Sequence, residues 1–238
     1  MKAIGIIFAR EYKSYLSTPM AYVVTAIFLA VSGAFFTTYL ASTAYTDTSI
    51  RGFLQAAQYL TLLFAAVLTM RLIAEERKMG TWELLLTVPV RDVDIIMGKF
   101  LGSLAVLVSM FALTAYYPIL LAVLGDPDLG PILTSYLGLL LLGSASIAVG
   151  IFASSLTSNQ LVSAVVCGGI LFALWFLGSL ADFAPGPVGD LLSYVSLSSH
   201  FPDLMRGIVD TRAVVYYLSV TAIFLFMAIR STETDRWQ

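Results

Sequence analysis

Residues 73–99 read IAEERKMGTWELLLTVPVRDVDIIMGK, and this charged interval separates two long apolar runs. No other interval between the apolar runs carries as many ionised groups. Its charged side chains are Glu75, Glu76, Arg77, Lys78, Glu83, Arg91, Asp92, Asp94 and Lys99. A segment of this polarity is costly to bury in a bilayer. It therefore divides the chain into two parts that can be embedded in a membrane.

A short helix is expected inside this interval. Gly80 should end the preceding helix and Thr81 should cap a new one over residues 82–88, which Pro89 ends. Glu83 would lie in the first turn, where a carboxylate suits the helix dipole. The apolar face would consist of Trp82, Leu85 and Leu86. Such an amphipathic helix lies flat against a membrane or in a groove of another protein.

The composition predicts a membrane protein. Hydrophobic residues make up 59% of the 238 and charged residues 12%, against about 25% charged in ordinary soluble domains. Six apolar segments approach the roughly 20 residues that a helix needs to cross a bilayer. They are residues 20–40, 53–70, 100–124, 132–156, 161–181 and 213–229. The second span is expected to continue to residue 73. We therefore expect an all-α polytopic protein, a single transmembrane domain over residues 1–238.

The distribution of positive charge predicts the orientation of these spans. With the N-terminus in the cytoplasm, all but Arg51, Arg206 and Arg212 of the 13 Lys and Arg residues are cytoplasmic. Cytoplasmic loops carry such an excess. Both termini are therefore predicted inside, and residues 74–90 face the cytoplasm.

Two further segments are expected to contact the membrane without crossing it. Residues 1–19 have helical periodicity with cations such as Arg10 away from the apolar side, which is typical of an interfacial helix. Glu11 is an exception on the apolar side, and Pro19 should break this elbow before the first span. Residues 182–212 predict two half-length apolar helices, a re-entrant hairpin with His200 at its tip.

The spans carry little chemistry of their own. They lack the ionisable side chains that carriers and pores place at membrane depth, and the chain has no phosphate-binding G-x-x-x-x-G-K-[ST] loop. Ser146, Gly150 and Ser154 follow one another at intervals of four, a spacing that lets membrane helices approach closely. No catalytic, cofactor or metal site is expected, so energy must come from a partner.

These residues support a family resemblance. EERKMGTWELLLTVPV at 75–90, followed by Gly98 and Lys99, resembles the E-E…G-T-x-E-x-L…P-V…K signature of type-2 ABC (ABC-2) exporter permeases. Arg10-Glu11, Tyr15 and residues 17–22 look like the entry elbow of that family. The final external loop and last span are similar to the gliding-motility-associated, GldF-type branch. The segments that carry this second likeness are LSSHF at 197–201, RG at 206–207, VDTR at 209–212 and YY at 216–217.

The resemblance implies a permease subunit in the plasma (inner) membrane of a prokaryote. It implies two ABC ATPase subunits that bind ATP and Mg, a second permease copy in a homodimer or related heterodimer, and a possible membrane-anchored accessory subunit. No nucleic-acid partner is implied. The implied ATPase-coupling residues are Glu75, Glu76, Gly80, Thr81, Trp82, Glu83, Leu85, Leu86 and Pro89. The implied elbow residues are Arg10, Glu11 and Pro19, and those of the external loop are His200, Phe201, Arg206 and Asp210.

Two other functions remain open on the sequence. The chain could be a non-translocating anchor or scaffold subunit of an envelope complex. It could also be an intramembrane serine hydrolase, although His200 lies outside the spans and a nucleophilic serine needs a base near it. The sequence names no substrate: an uncharged pathway suits lipids, lipid-linked molecules or peptides.

Overall fold

The computed structural model describes residues 2–42, 50–82, 90–124, 127–181, 183–184 and 186–235, and all regular structure in these ranges is α-helical. The helices are α1 Lys2–Ser17, α2 Pro19–Ser42, α3 Arg51–Thr69, α4 Ala74–Lys78, α5 Asp92–Thr114, α6 Tyr116–Leu124, α7 Leu129–Ser155, α8 Gln160–Ala181, α9 Pro187–Val195, α10 Phe201–Met205 and α11 Thr211–Asp235. The predicted all-α class is confirmed.

Within the described ranges, six helical stretches are long and apolar enough to cross a membrane. They are Ala21–Ser42, Gly52–Lys78, Asp92–Val123, Leu129–Ser155, Gln160–Ala181 and Thr211–Thr234. Each overlaps one of the six predicted spans. The largest difference is in the third, where the helix begins at Asp92 rather than Phe100. Asp92 and Asp94 occupy its first turn, where carboxylates favour a helix start.

Helix α7 is the centre of the bundle and packs against α3, α5, α8 and α11. Its small residues allow this close packing, and Gly150 belongs to the predicted series Ser146, Gly150 and Ser154. A Cβ atom on Gly143 would lie 2.2 Å from Leu107 Cδ2, and one on Gly150 would lie 1.9 Å from Thr69 Oγ1. At both positions the space beside the α7 backbone is therefore filled by a side chain of a neighbouring helix.

Proline residues coincide with two breaks in the helices, of which the break at Pro19 was predicted. Helix α1 ends at Ser17, and Pro19 is the first residue of α2. In the third span, Pro118 has no N–H to donate to the Thr114 carbonyl, and the helix is interrupted between Thr114 and Tyr116. The Tyr136 hydroxyl donates to that carbonyl at 3.0 Å. The break therefore leaves no unsatisfied acceptor at Thr114.

The segment between the last two spans contains the two short helices expected there, α9 and α10. Tyr217 donates its hydroxyl to Leu197 O at 2.8 Å, and Leu197 N donates to Leu174 O at 3.1 Å. Phe201 is fully buried and its ring lies against Gly138 of α7. The connection between α9 and α10 is thus fastened to α7, α8 and α11. We call this end of the bundle the His200 end.

Candidate functional site

At the other end of the bundle, α1, α4 and the first turns of α5 meet around one buried cation. The side chain of Lys99 is 1% exposed, and its Nζ lies 3.0 Å from Glu11 Oε1 and 2.9 Å from Glu76 Oε1. Nζ also donates to the Leu72 carbonyl at 2.8 Å. We call Lys99, Glu11 and Glu76 the Lys99 triad.

The triad joins parts of the chain that are far apart in sequence. Glu11 comes from α1, Glu76 from α4 and Lys99 from α5. A buried ammonium group is stable only when its charge and its hydrogen bonds are both matched, and the two carboxylates and the carbonyl provide this match. Removing one partner of a buried pair typically costs about 3–5 kcal/mol. The three helices are therefore held in one fixed arrangement.

Two glycines of α5 bring α1 close enough for this contact. A Cβ atom on Gly98 would lie 2.6 Å from Ile7 Cγ2, and one on Gly102 would lie 2.7 Å from Glu11 Cβ. The two glycines are four residues apart, so they lie on the same face of the helix. Glu11, the acidic exception on the apolar side of α1, therefore faces α5 and reaches Lys99.

Helix α4 is positioned by the centre of the bundle. Helix α3 ends at Thr69 and α4 starts at Ala74, and Ser154 Oγ of α7 accepts hydrogen bonds from Ile73 N at 3.1 Å and Ala74 N at 3.0 Å. These two N–H groups belong to the unsatisfied first turn of α4. The α7 hydroxyl therefore caps a helix 80 residues away in sequence.

Gly80 ends α4, as predicted, and Thr81 is already helical. Gly80 has a φ of +70°, the left-handed conformation of a helix-terminating glycine. Helical conformation resumes at Thr81 and Trp82. The Thr81 hydroxyl donates to Glu76 O at 3.2 Å, at the end of α4.

A polar cavity of about 370 Å³ lies beside the triad. Its charged lining consists of Arg10, Glu11, Arg71, Glu75, Glu76 and Lys99, three cations and three carboxylates. Met79 and Thr81 also line it, so the cavity borders the start of the predicted coupling segment. Opposite charges are balanced across its walls, which lowers the cost of holding them close together.

Tyr15 closes the side of this site next to α3. Its hydroxyl donates to the Leu68 carbonyl, and the Arg71 guanidinium lies 4.6 Å from the centre of its ring. Burial raises the pKa of Tyr15 to about 12, an effect that the Arg71 cation partly opposes. The phenol is therefore neutral at physiological pH and acts as a hydrogen-bond donor.

The structure brings together many of the residues that the resemblance implies. Arg10, Glu11, Glu75, Glu76 and Thr81 all line the cavity. The Trp82 side chain is only 4% exposed and belongs to the hydrophobic core of this chain. Its ring is thus unavailable as an exposed apolar contact for a partner. Four further implied residues lie outside the described part of the chain: Glu83, Leu85, Leu86 and Pro89.

The implied external-loop residues form a separate group at the His200 end. The His200 ring stacks on Tyr216 at 4.1 Å, and its Nδ1 lies 3.1 Å from Ser196 O. Arg206 lies 3.6 Å from Asp203 on the surface, and Asp210 Oδ1 accepts from Arg212 N at 2.8 Å. The His200 contacts hold the α9–α10 connection in place, whereas those of Arg206 and Asp210 are local to α10 and to the start of α11.

Lys99 is the residue that the sequence reasoning missed. It was assigned to the polar interval, whereas the structure buries it within a membrane-length helix. Two signals were present in the sequence: an acidic residue on the apolar side of α1, and glycines at positions 98 and 102 that let a helix approach. Together they predict a buried partner for Glu11 near the start of the third span.

These features define an integral membrane protein with several α-helical spans and a buried ionic cluster, the Lys99 triad, at one end. The chain belongs to the ABC-2 transporter family: the model for ABC-2 family transporter proteins matches residues 6–231. Permeases of this family are membrane transport components and work with ABC ATPase partners. The chain is therefore a multi-pass membrane protein and a membrane component of an ABC transporter. No curated protein matches it significantly.

Proposed function

We propose that this chain is the permease subunit of an ABC exporter in a prokaryotic plasma membrane, driven by a separate ATPase that docks on residues 74–90. The observation that supports this proposal most strongly is the position of α4. The helix is the first part of the predicted docking segment, it follows α3 closely in the chain, and the Lys99 triad ties it to α1 and α5. A displacement of the segment would therefore move membrane helices.

The proposed orientation has the triad and its cavity on the cytoplasmic side. The excess of Lys and Arg in the intervals predicted to be cytoplasmic supports this orientation. In that orientation α1 lies at the inner membrane surface as the elbow, and α9 and α10 dip into the outer leaflet as the re-entrant hairpin. The His200 end would then face outward.

In the proposed complex, two ATPase subunits bind ATP and Mg, and a second permease copy completes the pathway. Closure of the ATPase pair pushes the docking segments together, and each bundle turns as a body about the seam between the copies. Transport follows from the different stabilities of the two arrangements. This chain contributes no hydrolytic group, and the substrate class stays open among lipids, lipid-linked molecules and peptides.

The charge of Glu83 tests the docking proposal. The tagged chain is expressed with the genes that neighbour its own and purified from native membranes, and ATP hydrolysis is measured in the eluate. Glu83→Lys should lower the hydrolysis that copurifies by roughly tenfold or more, because reversing a docking charge costs at least about 1.4 kcal/mol. Glu233→Lys is the matched control, because it makes the same charge change near the end of α11 on the same predicted side, where Glu233 pairs with Arg230 at the surface.

This experiment has three outcomes, of which one supports the proposal and two refute part or all of it. Loss of hydrolysis with Glu83→Lys but not with Glu233→Lys supports the proposal. Equal hydrolysis in all three preparations refutes docking through Glu83. A wild-type preparation that contains no ATP-hydrolysing protein refutes the permease proposal itself and favours the anchor or scaffold function.

A further inference from the structure

We propose that Lys99 is the positioning residue that transmits motion of the docking segment to the elbow helix α1. This inference rests on the proposed function and adds a residue and a route to it. Lys99 joins three parts of the chain: Glu11 of α1, Glu76 of α4 and the Leu72 carbonyl that precedes α4. Because the link passes through one side chain, α1 and α4 move as one body with the start of α5.

The chemistry of the triad favours a positioning role over simple stabilisation. A buried ion pair is weak evidence for stability, because apolar replacements are often equally stable. Charged partners differ from apolar ones in the cost of separating them. A buried ammonium group that has lost its carboxylates is left without a compensating charge. The triad therefore resists separation of the helices more strongly than an apolar contact that can slide.

The triad extends the contacts of α1 to α4. Helix α1 packs closely on α5, where Ile7 and Glu11 fill the space beside Gly98 and Gly102, and the Tyr15 hydroxyl donates to Leu68 O of α3. Its own exposed side, which includes Ile6, is not held by the bundle. Glu11 is the side chain through which an ionic contact fixes the position of α1 against both α4 and α5.

A pair of spin labels can measure this link directly. Ile6 of α1 and Met79 after α4 are exposed by 69% and 62%, and each can be replaced by a labelled cysteine in a Cys167→Ala background. Val165 of α8 is 74% exposed and reports on a helix outside the triad. Distances are measured in the full complex, without nucleotide and after trapping with ATP and vanadate.

Two variants remove the link without leaving Lys99 unpaired. Glu11→Met cuts the contact with α1 and keeps the Lys99–Glu76 pair. The triple variant Lys99→Met, Glu11→Gln, Glu76→Gln removes every charge of the triad at once, so that no buried charge is orphaned. The matched control neutralises an exposed pair, Arg230→Met with Glu233→Gln, whose atoms lie 2.7 Å apart.

In the wild type and the control, we expect a narrow distribution of the distance between labels at residues 6 and 79 (the 6–79 distance), which nucleotide leaves unchanged. The distance between labels at residues 6 and 165 (the 6–165 distance) should shift on trapping. In both triad variants the distribution of the 6–79 distance should broaden, and the 6–165 shift should be lost, because α1 no longer moves with α4. Copurified ATP hydrolysis should persist in Glu11→Met, because Glu11 lies on α1 outside the docking segment. A merely structural role would change thermal stability and leave the 6–165 shift intact.

The results also separate this inference from the function on which it rests. An unchanged 6–79 width in Glu11→Met without nucleotide overturns the proposed link, whatever the ATPase does. A full 6–165 shift in Glu11→Met or in the triple variant overturns it as well. If the wild type has the narrow 6–79 distance but neither a copurifying ATPase nor a shift on trapping, the proposed function fails. The Lys99 triad then holds α1, α4 and α5 together without transmitting motion of a docking segment.

Discussion

The contact between Gly143 and Leu107 offers a quantitative test of the packing around α7. A Cβ atom on Gly143 would lie 2.2 Å from Leu107 Cδ2, while its next neighbour, Thr61 Cγ2, would be 3.4 Å away. Gly143→Ala therefore overlaps with the end of one side chain, and overpacking of this kind costs about 1–3 kcal/mol. Leu107 is fully buried, so Leu107→Ala should cost about 2–5 kcal/mol through the cavity it leaves.

The double variant should be more stable than the two single effects predict. The added methyl group of Gly143→Ala occupies space that Leu107→Ala vacates, so we expect a favourable coupling of about 0.5–3 kcal/mol. The assay is thermal unfolding of the purified protein in detergent. For a chain of this size, a change of 1 kcal/mol in the free energy of unfolding shifts Tm by about 2–4 °C.

Gly168 provides the control for the change of glycine to alanine. A Cβ atom there would meet no atom within 4 Å, although the residue also lies within a membrane-length helix, α8. Gly168→Ala should leave Tm unchanged or raise it, because alanine favours the helix by about 0.5–1 kcal/mol. Equal effects at 143 and 168, or strictly additive effects in the double variant, would refute the packing described for α7.

Three other predictions concern the ends of the helices. Ser154→Ala should cost about 1–3 kcal/mol, because it leaves two N–H groups of α4 without an acceptor, and should speed hydrogen exchange over residues 70–78. Pro118→Ala supplies the missing donor to Thr114 O, so exchange at the new amide should be slow; fast exchange would contradict the assigned cause of the break. Burial raises the pKa of Tyr15 from 10.0 to about 12. The contribution of neutral Tyr15 to the free energy of unfolding is therefore fully present below pH 10 and is lost as pH rises through 12. Tyr15→Phe should abolish that alkaline loss of Tm, and an unaltered pH profile would show that Tyr15 does not cause it.

Patterns local in sequence predicted much of the fold. Runs of uncharged residues predicted six membrane-length helices, Pro19 predicted a break, and Gly80 predicted the end of α4. Each of these features depends on the backbone conformation or length of one segment. Physical rules for single segments are therefore sufficient to predict them.

Contacts between distant segments were not predicted from the sequence. Glu11 and Lys99 are 88 residues apart, and Ser154 caps a helix 80 residues before it. Trp82 was assigned to an exposed apolar face because its neighbours have helical spacing, whereas its ring packs into the core of this chain. Amphipathic spacing identifies an apolar face and leaves open which surface covers it.

Cross-linking from Met79 tests most directly whether residues 74–90 dock an ATP-hydrolysing subunit in the cytoplasm. Met79 is 62% exposed at the border of the cavity. A photoreactive residue at this position, activated in intact cells, should form a cross-link to an ABC ATPase, while one at Phe183 at the His200 end should not. A cross-link to the ATPase from Phe183 but not from Met79, or labelling of Met79 by a reagent that cannot cross the membrane, would contradict the account.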